Sequence, residues 1–181
     1  MGKVVGFGDM LVRLSPPGYQ RFLQAASFDV NYTGAEANVL VGLSNNGIDT
    51  EFVTRLPDNA ISACAVSMLK RFSVGTSHIA YGGNRLGVFY CEKGASQRPS
   101  KIVYDRKYTA ISEAKPTDFN WDNIFQGADW FHFTGITPAL GEHLPQVVEE
   151  ACQKAHAAGI TISCDLNYRS ALWSEEKAQS V

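Results

Sequence analysis

Polar side chains follow three predicted strands of this 181-residue chain, at the point where each strand ends. Asp9 follows the first strand, Thr134 follows a strand that reads WFHF, and Asn167 and Arg169 follow a strand that reads TISC. The strands of an open parallel sheet end at one common edge, and ligands bind in the crevice beyond that edge. We therefore expect these side chains to converge on one site.

A glycine opens a predicted helix in the stretch YTGAEANVLVGLSNNG. The free N–H groups and the partial positive charge of a helix start suit a polar or anionic ligand, and they equally suit a plain cap. We expect Glu36 to stabilise this helix start through the helix dipole. Gly34 and Asn38 are candidates for the site itself.

Basic residues concentrate in a predicted hairpin. Residues 84–107 contain six basic and two acidic side chains, a net charge of +4, whereas residues 111–150 carry a net charge of −6. The runs RLGVFYCEKG and SKIVYDRKY flank a polar breaker, which is typical of two antiparallel strands. Tyr90, Tyr104 and Arg106 interleave with this charge, a combination that would grip an anionic small molecule, although charge runs are often only solvated faces.

Each of these residues also has a purely structural interpretation. Asp9 could be a turn carboxylate, and Asn38 could be a core amide that the backbone satisfies. Arg169 could pair with Glu175 on the surface, and the hairpin side chains could be strand positions that face water. Only their convergence in one place would favour a binding site.

Composition excludes several classes of function. The formal net charge of −2 provides no basic field for nucleic acid, and no stretch approaches the length of a membrane span. The N-terminus has no signal-peptide pattern, and the sequence has no P-loop, dinucleotide fingerprint or nucleophile elbow. The four scattered cysteines lack the spacing of metal ligands and predict buried thiols. We expect a cytoplasmic protein with no metal site and with neither a nucleic-acid nor a membrane partner.

Strand and helix patterns alternate along most of the chain and predict an α/β fold with a mostly parallel sheet. Residues 10–14 are predicted to be extended, and residues 22–32 to form one or two short strands. Asp58 is predicted to cap the second helix, with Ile61 on its buried face. The remaining predicted strands are 3–8, 49–56, 76–81, 128–135 and 160–169, and the predicted helices are 34–46, 58–72, 140–159 and one beginning in WSEEKA.

Six stretches, in order along nearly the whole chain, resemble the ribokinase-like (PfkB) sugar kinases. They are GFGDMLVRLSPPG, TGAEANVLVGLSNNG, RLGVFYCEKG, VYDR, WFHFTGITPAL and CDLNYRSALW. The resemblance implies a central, mostly parallel sheet flanked by helices, with a small β lid built from segments of about 11–33 and 85–108. Residues 1–181 would be the N-terminal portion of one such domain, with the C-terminal half absent.

The resemblance also implies a set of residues that bind a sugar acid. Some would contact its hydroxyl groups, three (Tyr104, Arg106 and Arg169) would hold the keto-acid end, and the segment from Thr134 to Ile136 would offer main-chain contacts. The full set is Asp9, Gly34, Ala35, Asn38, Phe89, Tyr90, Tyr104, Arg106, Thr134, Ile136, Asn167 and Arg169.

One position departs from the pattern of the family. Relatives commonly have tyrosine where Phe89 stands, and here Tyr90 follows it. Successive strand residues point to opposite faces. Either one hydroxyl contact is lost, which we favour, or the local register differs.

The resemblance is strongest to members that phosphorylate 2-keto-3-deoxygluconate to its 6-phosphate with ATP and Mg²⁺. It places the catalytic base and the ATP pocket in the second half of the family fold. The sequence therefore provides no catalytic residue, no metal ligand and no assignable ATP site, and the 181-residue chain alone is predicted to be inactive. An intact member is expected to be a homo-oligomer that associates through its lid. Alternatives are a kinase of another sugar, such as fructose or ribose, and a non-catalytic sugar-binding or dimerising fragment.

Overall fold

The computed structural model describes residues 2–181, which form two four-stranded β-sheets with helices. In chain order the strands and helices are β1 (Lys3–Phe7), β2 (Leu11–Ser15), β3 (Asp29–Thr33), α1 (Ala35–Asn45), β4 (Thr50–Val53), β5 (Arg55–Leu56), α2 (Ala60–Arg71), β6 (Ala80–Tyr81), β7 (Gly87–Glu92), β8 (Lys101–Asp105), α3 (Trp121–Ile124), β9 (Ala128–Thr134), α4 (Leu144–Ala157), β10 (Thr161–Asp165) and α5 (Glu175–Ser180).

The main sheet has four parallel strands in the order β10-β9-β1-β4, with helices on both faces. β1 is central, and its alternation sends Val5 and Phe7 into a core that α3 and α4 cover. Phe7 packs edge-on against Phe119 and Trp121, with ring centroids 5.1 and 5.4 Å apart. On the opposite face, Leu40 of α1 and Leu69 of α2 are fully buried in a second core. The predicted α/β fold is confirmed.

A second four-stranded sheet lies beside the main one and has the order β3-β2-β7-β8. β2 pairs antiparallel with β3 and parallel with β7, and β7 pairs antiparallel with β8. The segments 11–33 and 85–108 therefore come together in one mixed sheet. We refer to β2, β3, β7 and β8 as the small sheet.

For residues 22–32 the one-strand prediction is confirmed by β3, which follows a 3₁₀ turn at Phe22–Gln24. Two other local predictions were wrong. Only Ala80–Tyr81 of the predicted strand 76–81 pairs. Helix α4 begins at Leu144, after a separate 3₁₀ turn at Thr137–Leu140, because Gly141 interrupts the helical pattern with an extended backbone.

Three further expectations fail: the cap of α2, the burial of Ile61 and the burial of the cysteines. The last two fail because sequence patterns do not identify the solvent face. The N-cap of α2 is Asn59, whose side chain accepts a hydrogen bond from the Ser62 N–H, and Ile61 in its first turn is 51% exposed. Of the four cysteines expected to be buried, only Cys91 is; Cys152 is partly buried, whereas Cys64 and Cys164 are exposed on α2 and on the edge strand β10.

None of the helices within residues 2–181 has both the length and the apolar content that a membrane crossing requires.

The cap assignment gives a direct test of helix α2. Asn59→Ala removes the acceptor of the Ser62 N–H at an exposed position, so we expect the free energy of unfolding to fall by about 1 kcal/mol. Asp58→Ala removes the residue that the sequence favoured as the cap, and we expect the free energy of unfolding to fall by less than about 0.5 kcal/mol. Urea denaturation followed by circular dichroism measures both, and a larger loss for Asp58→Ala would contradict the observed cap.

Candidate functional site

A cavity of about 170 Å³ lies where the carboxyl ends of β1 and β9 meet the start of α1 and the small sheet. Thirteen residues line it: Asp9, Leu11, Thr33, Gly34, Ala35, Glu36, Asn38, Phe89, Tyr104, Arg106, Ile136, Asn167 and Arg169. Ten of these belong to the twelve residues that the sequence predicted. The structure therefore brings the predicted set together, and its role in binding stays a prediction.

Two predicted residues lie outside the cavity lining. Tyr90 points to the opposite face of β7 from Phe89 and packs edge-on against Phe28, with centroids 6.0 Å apart. Thr134 is 1% exposed, and its Oγ1 accepts a hydrogen bond from the Ile136 N–H at 3.3 Å. It therefore lies behind the cavity wall.

Three lining residues were missed as site residues. Thr33 directly precedes Gly34, and Leu11 follows Asp9 by two residues, so proximity to predicted residues was the available signal for both. Glu36 was expected only to stabilise the helix start. Its side chain is 1% exposed and accepts hydrogen bonds from the Thr134 N–H, at the end of β9, and from the Thr137 hydroxyl. No pattern in the sequence indicates that a glutamate in a first helical turn points inward.

An ion pair between Asp9 and Arg106 closes one side of the cavity. The Arg106 Nη2 donates to Asp9 Oδ2 at 2.7 Å, and the two side chains are only 14% and 6% exposed. This burial excludes the interpretation of Asp9 as a solvated turn carboxylate. Burial raises the pKa of the Asp9 carboxyl, and the Arg106 guanidinium opposes that rise.

The pair leaves two polar atoms without a partner. Asp9 Oδ1 and Arg106 Nε are buried, and neither makes a hydrogen bond to any residue within 2–181. Buried polar groups in native proteins are almost always hydrogen-bonded. The ion pair is therefore incompletely satisfied by the residues of the described range.

Aromatic rings form the wall beneath the small sheet. Phe89 and Tyr104 occupy opposite positions on β7 and β8, and their ring centroids lie 5.6 Å apart. The Arg106 guanidinium lies over the Tyr104 ring, 5.2 Å from its centroid. This contact and the ion pair fix the guanidinium between the two sheets.

The helix start contributes Gly34 and Asn38. A β-carbon at Gly34 would overlap the Asp9 carbonyl oxygen, so only glycine lets the chain pass this close to the end of β1. Asn38 is exposed, and its Oδ1 accepts a hydrogen bond from the Thr33 hydroxyl at 3.0 Å. Asn38 is therefore not the core amide that the sequence left as an alternative.

Arg169 brings a second guanidinium to the cavity. It is exposed and makes no ion pair with any residue of the described range 2–181, so the alternative pairing with Glu175 is not formed. Nearby, Asn167 has a φ of 37°, and its N–H donates to Asp165 Oδ1 at 3.0 Å. This left-handed turn leads the chain from the end of β10 to Arg169.

The main chain from Thr134 to Ile136 has no free N–H group. The Thr134 N–H donates to Glu36 Oε1, the Gly135 N–H to the Asp165 carbonyl and the Ile136 N–H to Thr134 Oγ1, at 3.0, 2.8 and 3.3 Å. The segment therefore offers no main-chain donor to a ligand. Of its three residues only Ile136 lines the cavity, and the Ile136 carbonyl already accepts a hydrogen bond from the Ala139 N–H at 3.0 Å.

Most of the hairpin's positive charge is directed elsewhere. Arg98 pairs with buried Glu92 at 3.2 Å, and Arg85 pairs with Asp105 at 2.7 Å. The hydrogen bond from Arg85 lowers the pKa of Asp105. Of the hairpin's basic residues, only Arg106 lines the cavity.

A larger cavity of about 890 Å³ lies between α4, β10 and the C-terminal residues. Apolar side chains such as Phe133, Val148 and Leu166 dominate its lining, and none of the twelve predicted site residues contributes to it. We take the smaller cavity as the candidate site, because charged and polar groups converge there.

Within residues 2–181, no three His, Cys, Asp or Glu side chains lie close enough together to hold a metal ion. No ligand of a metal ion is assigned to this chain.

Comparison with known proteins gives a family match over the whole chain. Residues 1–181 match the model described as pfkB family carbohydrate kinase. The chain is 36% identical over 178 residues to the 2-dehydro-3-deoxygalactonokinase of Haloferax volcanii, and the match covers 98% of this chain and 55% of that protein. It is 27% identical over 174 residues to the 2-dehydro-3-deoxygluconokinase of Bacillus subtilis, covering 95% and 53% respectively.

Solved structures give the same picture. The crystal structure of 2-dehydro-3-deoxygluconokinase from Thermotoga maritima matches with a TM-score of 0.98 and 55% identity, covering 100% of this chain and 56% of that one. Fructokinase with bound ATP from Xylella fastidiosa matches with a TM-score of 0.80 and 23% identity, covering 96% and 51%, which shows a shared fold alone. The chain thus spans about half the length of the relatives that it matches.

Removing Arg106 tests the ion pair through its pH dependence. Arg106→Met leaves Asp9 buried without its cation, so we expect a loss of about 3 kcal/mol in the free energy of unfolding at neutral pH. The folded-state pKa of Asp9 then rises further above its unfolded value, so the folded state binds the extra proton and the loss shrinks as the pH falls. Urea denaturation between pH 5 and 8 measures this trend.

The double variant Asp9→Asn/Arg106→Met removes both charges and serves as the control. Its difference from wild type should vary less with pH than that of Arg106→Met. A loss for Arg106→Met that is the same at pH 5 and pH 8 would show that Asp9 does not depend on Arg106.

Proposed function

This chain belongs to the pfkB family of carbohydrate kinases, and we propose that its protein transfers the γ-phosphate of ATP to 2-keto-3-deoxygluconate, also named 2-dehydro-3-deoxygluconate. The chain would supply the part that binds the sugar acid. The observation that carries this proposal is the second guanidinium in the cavity, that of Arg169, which no carboxylate of residues 2–181 neutralises.

An unneutralised guanidinium beside a polar cavity favours an anionic ligand. Arginine presents its N–H groups in a planar fork that matches a carboxylate. Arg106 also lines the cavity, but its charge is already paired with Asp9, so the uncompensated positive charge is that of Arg169. A neutral sugar such as fructose or ribose has no carboxylate for Arg169, which disfavours those substrates.

The remaining cavity groups suit hydroxyl groups. Asp9 and Asn38 both line the cavity and carry acceptor oxygens, and Asn38 is exposed there. The Thr134–Ile136 main chain offers no donor, because all three N–H groups are bonded internally. These groups would fix the carbon chain of the sugar acid and direct its terminal hydroxyl away from the two arginines.

In the proposed reaction, the terminal hydroxyl oxygen forms a bond to the γ-phosphorus of ATP. The bond between that phosphorus and the β,γ-bridging oxygen breaks, ADP leaves, and the hydroxyl proton passes to a general base. Mg²⁺ bound to ATP would neutralise the phosphate charge. The residues of this chain would bind and orient the acceptor, which is the positioning part of the catalysis.

The base and the nucleotide pocket are assigned to the half of the family fold that this chain does not span. The chain aligns with 53–56% of the length of its relatives, and its cavity residues are accounted for by the sugar acid. We propose that residues 1–181 alone do not turn over ATP.

A second substrate is favoured by one comparison. The Haloferax volcanii relative acts, by its name, on the galactonate epimer and is 36% identical to this chain. The two acids differ at one hydroxyl-bearing carbon and share the carboxylate. The 2-keto-3-deoxygalactonate epimer therefore belongs in every binding measurement beside the gluconate.

We also propose that the protein is a homo-oligomer that associates through the small sheet. Val30 and Val103 are 56% and 54% exposed. Both share one face, because Leu14 lies opposite Val30 and Tyr90, and Tyr90 lies opposite Val103. We call these four residues the apolar stripe; its two valines are exposed, whereas Leu14 and Tyr90 between them are partly buried. Exposed apolar side chains at both edges of one sheet favour burial against a second copy.

Removing the guanidinium of Arg169 tests the substrate assignment. Arg169→Ala should raise the Kd for 2-keto-3-deoxygluconate by roughly 30-fold, because a charge-assisted hydrogen bond contributes about 2 kcal/mol. Isothermal titration calorimetry with the gluconate, the galactonate, fructose and ribose measures the effect. The two neutral sugars should bind weakly to wild type and be insensitive to the substitution.

Arg71→Ala provides the matched control, because Arg71 is an exposed arginine at the end of α2, outside the cavity lining. It should leave every Kd unchanged. Equal affinity of wild type and Arg169→Ala for the sugar acid, or tighter binding of a neutral sugar, would overturn the assignment.

A charge on the apolar stripe tests the oligomer. Val103→Asp should raise the dimer dissociation constant at least about tenfold, because a carboxylate would be buried in the interface. Sedimentation equilibrium measures this change. Ile61→Asp, at a 51% exposed position on α2, should not affect association. A wild-type protein that stays monomeric at high concentration would refute the proposal.

A further inference from the structure

A single buried carboxylate connects the elements that build the cavity. Glu36 lies in the first turn of α1 and is 1% exposed. Its Oε1 accepts a hydrogen bond from the Thr134 N–H at 3.0 Å and one from the Thr137 hydroxyl at 2.8 Å. Both donors are themselves buried, at 1% and 0% exposure, so neither can exchange its bond for one to water.

The same carboxylate also lies against the end of β1. A β-carbon on Gly8 would overlap the Glu36 carboxylate, so the backbone passes directly beside it. Glu36 therefore contacts the segments that follow two adjacent strands of the main sheet, β1 and β9, while it belongs to the helix that packs on them.

Each of these three segments carries a residue of the candidate site. Asp9 directly follows Gly8, Ile136 lies between Thr134 and Thr137, and Asn38 lies two residues after Glu36 on α1. The relative positions of these three residues therefore depend on where the Glu36 carboxylate holds its partners. A displacement of about 1 Å in such groups can change a rate by roughly 100-fold.

We infer that Glu36 is a positioning residue of the sugar-acid site, which fixes Asp9, Asn38 and Ile136 relative to one another through the Thr134 N–H, the Thr137 hydroxyl and the packing against Gly8. This inference rests on the proposed function for the identity of the ligand. The claim that Glu36 fixes the relative positions of the three residues does not depend on that ligand.

The chain offers a matched control for the stability that any buried carboxylate provides. Glu51 on β4 is 6% exposed and accepts hydrogen bonds from the His78 N–H at 3.0 Å and the Ser77 hydroxyl at 3.1 Å. Its donors are therefore of the same two types as those of Glu36, but it does not line the cavity. A purely structural role predicts equal consequences for the two glutamates.

The test compares Glu36→Ala with Glu51→Ala. We expect a similar fall in the urea midpoint for both variants, but only Glu36→Ala should raise the Kd for 2-keto-3-deoxygluconate, by roughly tenfold or more, with Glu51→Ala within about twofold of wild type. Glu36→Gln keeps an acceptor oxygen of the same reach and should restore the Kd to within about threefold of wild type. Equal Kd values for the two alanine variants would overturn the inference.

A milder pair remains informative if the alanine variants do not fold. Thr137→Val and Ser77→Ala each remove the hydroxyl donor of one glutamate. Thr137→Val should raise the Kd by about threefold, and Ser77→Ala should not change it. An unchanged Kd for Thr137→Val would count against the positioning role.

Crystal structures of these variants separate this inference from the proposed function. If wild type binds no sugar acid, the proposed function fails, and the structures still decide the role of Glu36. The positioning role is supported if Asp9, Asn38 and Ile136 shift relative to one another by about 0.5 Å or more in Glu36→Ala or Thr137→Val. The same shift should be absent from the matched controls, Glu51→Ala and Ser77→Ala. Unchanged positions overturn it.

Discussion

The ion pair between Asp9 and Arg106 joins the two sheets of this protein. Asp9 follows the central strand of the main sheet, and Arg106 follows the edge strand β8 of the small sheet, 97 residues later in the chain. This contact crosses from the small sheet to the ends of the parallel strands, and both of its residues line the candidate cavity. Because both side chains are largely buried, removing only one of them would leave the other charge buried without a partner, which is costly. The ion pair therefore helps to fix the two sheets relative to each other.

The charges at the cavity favour an anionic ligand. Arg106 and Arg169 both line the cavity, and Arg169 makes no ion pair within residues 2–181. The N–H groups of Thr134, Gly135 and Ile136 are bonded inside the protein, so this segment offers no donor to a ligand. The unpaired guanidinium is the physical basis on which we propose a sugar acid rather than a neutral sugar as the ligand.

The chain belongs to the pfkB family and spans about half the length of the relatives that it matches. Within that half, polar groups converge on one small cavity. The edge strand β10 stays exposed, and a larger apolar cavity lies beside it. The candidate site is built from residues of the described range 2–181.

The sequence by itself determined the fold class and the main strands and helices, because strand period and helix period are local. Seven of the cavity residues followed from the rule on strand ends, the helix start and the charge pattern of the hairpin. Three more, Ala35, Phe89 and Ile136, followed only from the resemblance to the family. Only the tertiary structure decided which face of a strand meets the cavity. Strand alternation separates Phe89 from Tyr90 but does not say which one points inward. The inward direction of Glu36, the partner of Asp9 and the true cap of α2 likewise depend on packing between segments that are distant in the chain, or on local geometry that several residue types can satisfy.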